Sequence, residues 1–155
     1  MKKIIDRLLE FILVTLMMFL VLDVIWQVFA RYILKDPSSY TDELARFLLI
    51  WVSLLGAAYA HGQKKHLAID IFPQSLNPYN QKRLDQLIQI LVIGFSLCVL
   101  CIGGGRLVFI TLYLKQLSSA LQLPLGFVYM VIPLSGSLIV FYGVYHLMYY
   151  ETKKS

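Results

Sequence analysis

Apolar positions in this chain do not recur at the spacing of a soluble core; they run on. Phe11–Asp23 and Leu87–Gly105 carry no ionised side chain between their end residues, and Pro124–Tyr150 carries none at all. An α-helix needs about 20 residues to cross a bilayer core of roughly 30 Å, so these runs predict three transmembrane helices. A fourth run, Phe47–Ala60, is apolar for 14 residues and at 1.5 Å per residue covers only about 21 Å. Pro37-Ser38-Ser39-Tyr40-Thr41-Asp42-Glu43 precedes it, with Thr41 as candidate cap and two carboxylates in the positive first turn, so starting at Thr41 completes the crossing. The predicted fold is an all-α membrane protein, one domain over residues 1–155, with helices at about 5–32, 41–60, 78–115 and 124–149. Asn77-Pro78 opens the third helix as a cap with proline at the first helical position. That helix is too long to stand upright, so it tilts or bends at Gly103-Gly104-Gly105. Pro133 predicts a kink in the fourth unless a neighbour, Ser135 or Ser137 takes up the freed carbonyl.

Charge fixes the expected orientation. Four crossings put both ends and the middle loop on one side, which carries nine basic residues from Lys2 to Lys154, against Arg31, Lys35, Arg46 and Lys115 opposite. Positive residues stay in the cytoplasm, so both termini are expected there. The first apolar run continues to Ala30 with no small-x-small cleavage site, which reads as a retained anchor helix. A composition 59% hydrophobic and only 15% charged agrees with lipid exposure, and the net charge of +5 calls for anionic lipid as partner rather than nucleic acid. Between the second and third helices, a short segment with His66 and Asp70 is amphipathic enough to lie on the inner surface.

Candidate chemistry is sparse. Two charges lie within the predicted membrane helices, Asp23 in the first and Arg106 in the third, at matched depths of about 12 and 13.5 Å below Arg31 and Lys115. They are expected to form an ion pair that fixes helix one against helix three, with Gln27 one turn on widening a polar stripe. Cys98 and Cys101 have the C-x-x-C spacing of redox and zinc sites, but mid-membrane and without a second pair. The histidines lack a ligand constellation. No enzyme activity, metal or cofactor is expected. Without internal repeats or broken half-helices, the chain is also a poor self-sufficient transporter, and an accessory subunit is the better reading.

The motifs Val28-Phe29-Ala30-Arg31-Tyr32, Tyr40-Thr41-Asp42-Glu43-Leu44-Ala45-Arg46-Phe47, Trp51 to Ala58, His66-Leu67-Ala68-Ile69-Asp70, Gln116 to Pro124 and Tyr129 to Leu134 follow one another along the chain. In this order they resemble the DctQ-like small membrane subunit of tripartite ATP-independent periplasmic (TRAP) transporters. Tyr40 stands where this family more often has Trp, which keeps an amphipathic aromatic at the interface. The resemblance implies a scaffold subunit in a bacterial inner membrane, a large multi-helix subunit carrying the sodium and substrate sites, and a periplasmic binding protein delivering an organic acid of the C4-dicarboxylate or sialic acid class. Under it, Arg31, Lys35, Asp36, Ser38, Ser39 and Tyr40 become the expected docking turn for the binding protein, or else a merely solvated loop. Gly136 and Gly143, seven apart on one face, would pack on the large subunit or within the chain. The alternative is a four-helix proton-coupled multidrug antiporter using Asp23.

Overall fold

The computed structural model describes residues 2–35, 38–63 and 78–152. Helix α1 (Lys2–Phe29) widens into a π-helical turn, Ala30–Leu34, and α2 spans Ser39–Gly62. The third span consists of α3 (Pro78–Phe95), a π-wound segment (Ser96–Gly103) and α4 (Gly104–Tyr113). The fourth is α5 (Leu125–Tyr129) followed by α6 (Val131–Thr152). No strand is present among the described residues. Four stretches are long and apolar enough to cross a membrane: Lys2–Leu34, Ser39–Gly62, Gln86–Tyr113 and Leu125–Met148.

Two boundaries differ from the sequence reading. Helix α2 begins at Ser39 with Ser38 in the cap position, so Thr41 is already helical and its hydroxyl donates back to the Ser38 carbonyl at 3.0 Å. The earlier start supplies the missing length. In the third span the distortion extends from Ser96 into the first residue of the glycine triplet: the wide winding ends at Gly103, and α-geometry resumes at Gly104.

The spans pack in the order α1, α2, fourth, third. The principal contacts are α1 on α2, α2 on α6, and α6 on the third span. A small core of Leu9, Leu55, Val131 and Tyr142 lies where α1, α2 and the fourth span meet. Elsewhere large apolar side chains face outward: Phe11 is 72% exposed, Ile25 60%, Phe95 61% and Phe109 69%, surface on a scale that lipid rather than water must cover. The start of α1 and the later turns of α6 lie at one end of the bundle. There the fully buried Tyr142 donates to Asp6 Oδ1 at 2.5 Å, and Lys2 Nζ sits 5.5 Å from the centre of the Tyr145 ring. Gly62 makes the niche, since a Cβ there would lie 2.8 Å from the Tyr142 ring.

Third and fourth spans approach more closely. A Cβ on Gly136 would meet Leu100 Cβ at 2.6 Å, one on Gly143 would meet Ile93 at 2.6 Å, and one on Gly104 would meet Ile132 at 2.6 Å. The fourth span breaks at Met130, three residues before Pro133, whose nitrogen has no proton for the Tyr129 carbonyl. The neighbouring Val128 carbonyl, at the same break, accepts the Trp51 indole N–H of α2 at 3.1 Å. Ser135 and Ser137 instead donate within the continuing helix, to Ile132 and Pro133.

Candidate functional site

The end of the bundle opposite the start of α1, here the turn end, holds a dense set of polar contacts among the described residues. The chain leaves α1 through Lys35, whose left-handed backbone (φ 56°) lets its N–H close on the Ala30 carbonyl. Arg31 in that last turn complements the negative end of the helix dipole. Between α1 and α2 lies a cleft of about 330 Å³ lined by Gln27, Arg31, Ser38, Ser39, Asp42 and Arg46. Gln27 ties its floor together, donating through Nε2 to Asp23 Oδ2 at 2.8 Å and to the Thr41 carbonyl of α2 at 3.0 Å. Arg46 is bonded to Asp42 one turn away at 2.7 Å. That exposed pair adds at most about 1 kcal/mol, but it neutralises both charges. Arg31 has no ion-pair partner among the described residues, while Asp23 at the floor takes its hydrogen bond from the neutral Gln27.

A second structure stands beside it. Between the third and fourth spans the chain makes a tight loop, with Ser118 N–H donating to the Leu123 carbonyl and Leu125 N–H to that of Gln116, both at 2.9 Å. Lys115 (φ 49°) and Gln122 (φ 54°) take left-handed backbones to close it. The loop turns three successive amides the same way, and Glu43 of α2 fills the nest: Ser119 N–H reaches Oε1 at 3.2 Å, Ala120 and Leu121 N–H reach Oε2 at 2.8 Å each. Charge-assisted bonds of this kind are among the stronger polar contacts and fix geometry as well as charge. The result is a broad groove of about 780 Å³ running from Ser39, Tyr40 and Phe47 to Ser119 and Gln122.

Of the docking residues expected from sequence, Arg31, Lys35, Ser39 and Tyr40 are exposed and Ser38 is half-buried. Asp36 lies outside the described residues, as do His66 and Asp70 of the expected interfacial segment. The Glu43 contacts were not foreseen. Nothing in side-chain spacing announces them, because the other half of the site is backbone.

The expected Asp23–Arg106 pair is not formed. Asp23 takes its hydrogen bond from Gln27, and the one ion pair between described residues is Arg46–Asp42. Equal depth does not bring two helices together: α2 and the fourth span lie between the first and the third. The polar stripe of Asp23 and Gln27 faces α2 instead. Gly136 and Gly143 also find their partners within the chain, on Leu100 and Ile93 of the third span. Cys98 is an exposed free thiol, and Cys101 Sγ lies 3.7 Å from Ser137 Oγ of the fourth span.

Residues 17–150 match the family model of the DctQ component of tripartite ATP-independent periplasmic transporters. The chain is 32% identical over 137 residues to the sialic acid TRAP transporter small permease protein SiaQ of Vibrio cholerae, covering 84% of this chain and 79% of that one. It is 27% identical over 135 residues to a putative TRAP transporter small permease protein of Haemophilus influenzae, covering 87% and 82%. With four membrane-length helices and a match over most of its length, this chain belongs to the DctQ family: it is a TRAP transporter small permease subunit.

Proposed function

We propose that this subunit is a scaffold for sodium-driven uptake of an organic acid across a bacterial inner membrane, working with a large multi-helix subunit and a periplasmic substrate-binding protein. The turn end faces the periplasm and both termini face the cytoplasm, an orientation supported by the excess of Lys and Arg near the termini and the middle loop. The observation that carries the reading is the built turn end: a polar cleft and an amide-clamped loop, both held by hydrogen bonds, on top of a bundle that exposes many large apolar side chains. A solvated loop would not need the Glu43 clamp. The binding protein docks across Arg31, Lys35, Asp36, Ser38, Ser39 and Tyr40 and the neighbouring Glu43-held loop. The substrate belongs to the sialic acid or C4-dicarboxylate class, and likeness to a sialic acid subunit favours the former.

Proteoliposomes containing this chain, the large subunit and the binding protein should accumulate labelled N-acetylneuraminic acid or succinate under an inward sodium gradient, and should lose uptake when any component is left out. Uptake by this chain alone would contradict the scaffold role. Arg31→Glu should slow uptake on the order of tenfold at low salt, with the deficit shrinking as salt screens the surface. An unchanged rate at low salt would remove Arg31 from the docking face.

A further inference from the structure

From Gly104 to Tyr129 the chain forms a hairpin that packs chiefly on itself. Its first leg, α4, lies mainly against its second, α5, and only slightly against α6. Gly126 leaves no room for a Cβ against Leu112, so the legs meet closely, and the tight loop joins their far ends with hydrogen bonds of 2.9 Å. Neither leg is a principal packing partner of α2. The hairpin reaches that helix through hydrogen bonds instead, from the Trp51 indole to the Val128 carbonyl and from the loop amides to Glu43.

Both feet of the hairpin are irregular. The third span enters it through eight residues of π winding, Ser96–Gly103, where a single turn is the usual extent. The fourth span leaves it through the break at Met130, where Pro133 has no proton for the Tyr129 carbonyl. These two irregularities face each other, since a Cβ on Gly104 would lie 2.6 Å from Ile132 Cγ2 and 3.2 Å from Pro133 Cδ. Breaks at different heights would each be splinted by the intact helix alongside. Breaks at one height share an axis, and π turns and prolines are where helices bend and hinges absorb rotation. Helix α2 runs unbroken past this level, from Ser39 to Gly62.

The two ties to α2 differ in leverage. Trp51 holds the Val128 carbonyl two residues from the break, so rotation about the axis moves that bond little. Glu43 lies eight residues earlier in α2, about 12 Å nearer the turn end, and holds the tip. We propose that the hairpin from Gly104 to Tyr129 is a hinged strap that swings about the facing breaks at Gly103–Gly104 and Met130–Pro133, and that the grip of Glu43 on the loop amides is the latch holding it against α2. The groove beside Glu43 has one wall on α2, with Ser39, Tyr40 and Phe47, and the other on the loop, with Ser119 and Gln122, so the angle of the strap sets its width. A partner that fills the groove fixes that angle, and a contact outside the membrane is thereby felt within it. The hinge rests on the fold alone and not on the docking reading.

The test uses the full chain in lipid nanodiscs, with Cys98→Ser and Cys101→Ser removing the native thiols and distances between paired spin labels read by electron resonance. Cysteine substitutions of Ile25 in α1 and Tyr113 in the strap, 60% and 77% exposed, carry the labels that report the hairpin. Those of Phe11 and Ile90, 72% and 61% exposed, report the inner half. Glu43→Gln should shift or broaden the first distance by several ångströms and leave the second unchanged. Adding Pro133→Ala, which returns the missing donor to the fourth span, should restore the native distance. Where Glu43→Gln does not fold, Glu43→Asp, one methylene short of the loop, replaces it with the same expectation. An unmoved first pair, an equal shift in both pairs, or a shift that survives Pro133→Ala would overturn the inference, and each would leave the docking reading standing.

Discussion

A Cβ on Gly56, between α1 and α2, would meet its nearest neighbour, Leu13, at 3.9 Å, whereas one on Gly136, between the fourth and third spans, would meet Leu100 Cβ at 2.6 Å and the Cys101 backbone nitrogen at 3.2 Å. The first seam is sized by ordinary side chains and tied at its polar end by Gln27. The second is sized by glycine, backbone against side chain, with the wide π winding of Ser96–Gly103 lying along it. In lipid, where apolar surfaces gain little by leaving the solvent, close fit and hydrogen bonds are what hold helices together, and the molecule uses one at each seam.

The comparison can be broken at its tight side first. Gly136→Ala should destabilise the subunit by about 1–3 kcal/mol, because both the Leu100 Cβ and the backbone must move, while Gly56→Ala should be neutral or slightly stabilising through helix propensity. Thermal unfolding in detergent checks both, and equal effects would erase the distinction between the seams. Next comes the tie that joins the two pairs of spans. Glu43→Gln keeps the shape but offers an N–H₂ where the loop amides need an acceptor, so the loop loses its clamp. Hydrogen exchange at Ser119, Ala120 and Leu121 should rise, and unchanged protection would mean that the loop holds itself. The smallest effect is expected at the looser seam, where Gln27→Leu removes the donors to Asp23 and to the Thr41 carbonyl at a cost of about 1 kcal/mol, again read from the unfolding midpoint. A loss larger than that of Gly136→Ala would reverse the ranking.

These features were unequally legible in the sequence. Apolar run length found three of the four spans, since bilayer thickness imposes it regardless of neighbours, and the turn-and-cap signature before Phe47 completed the other. The start of α2 was misplaced by two residues because Ser38, Ser39, Thr41 and Asp42 are all competent caps, and only backbone geometry decides among them. Gly136 and Gly143 could be assigned to one face but not to a partner, and Asp23 was matched with Arg106 on depth alone. Lateral order is what one-dimensional spacing omits. The amide nest around Glu43 was invisible for a different reason: its ligands are peptide groups, which every residue but proline possesses.

The hydrogen bond between Tyr142 and Asp6 joins residues 136 positions apart, and it bears on how the subunit is made. During synthesis the first two helices enter the bilayer with each other for company, but the third has its principal packing partner only in the fourth. Until that last helix emerges, the third waits in lipid and Asp6 has no phenol. Completion of the chain, not insertion of its first hairpin, is therefore the event that locks the bundle, and a ribosome stalled before Tyr142 would leave a protein threaded through the membrane but unassembled.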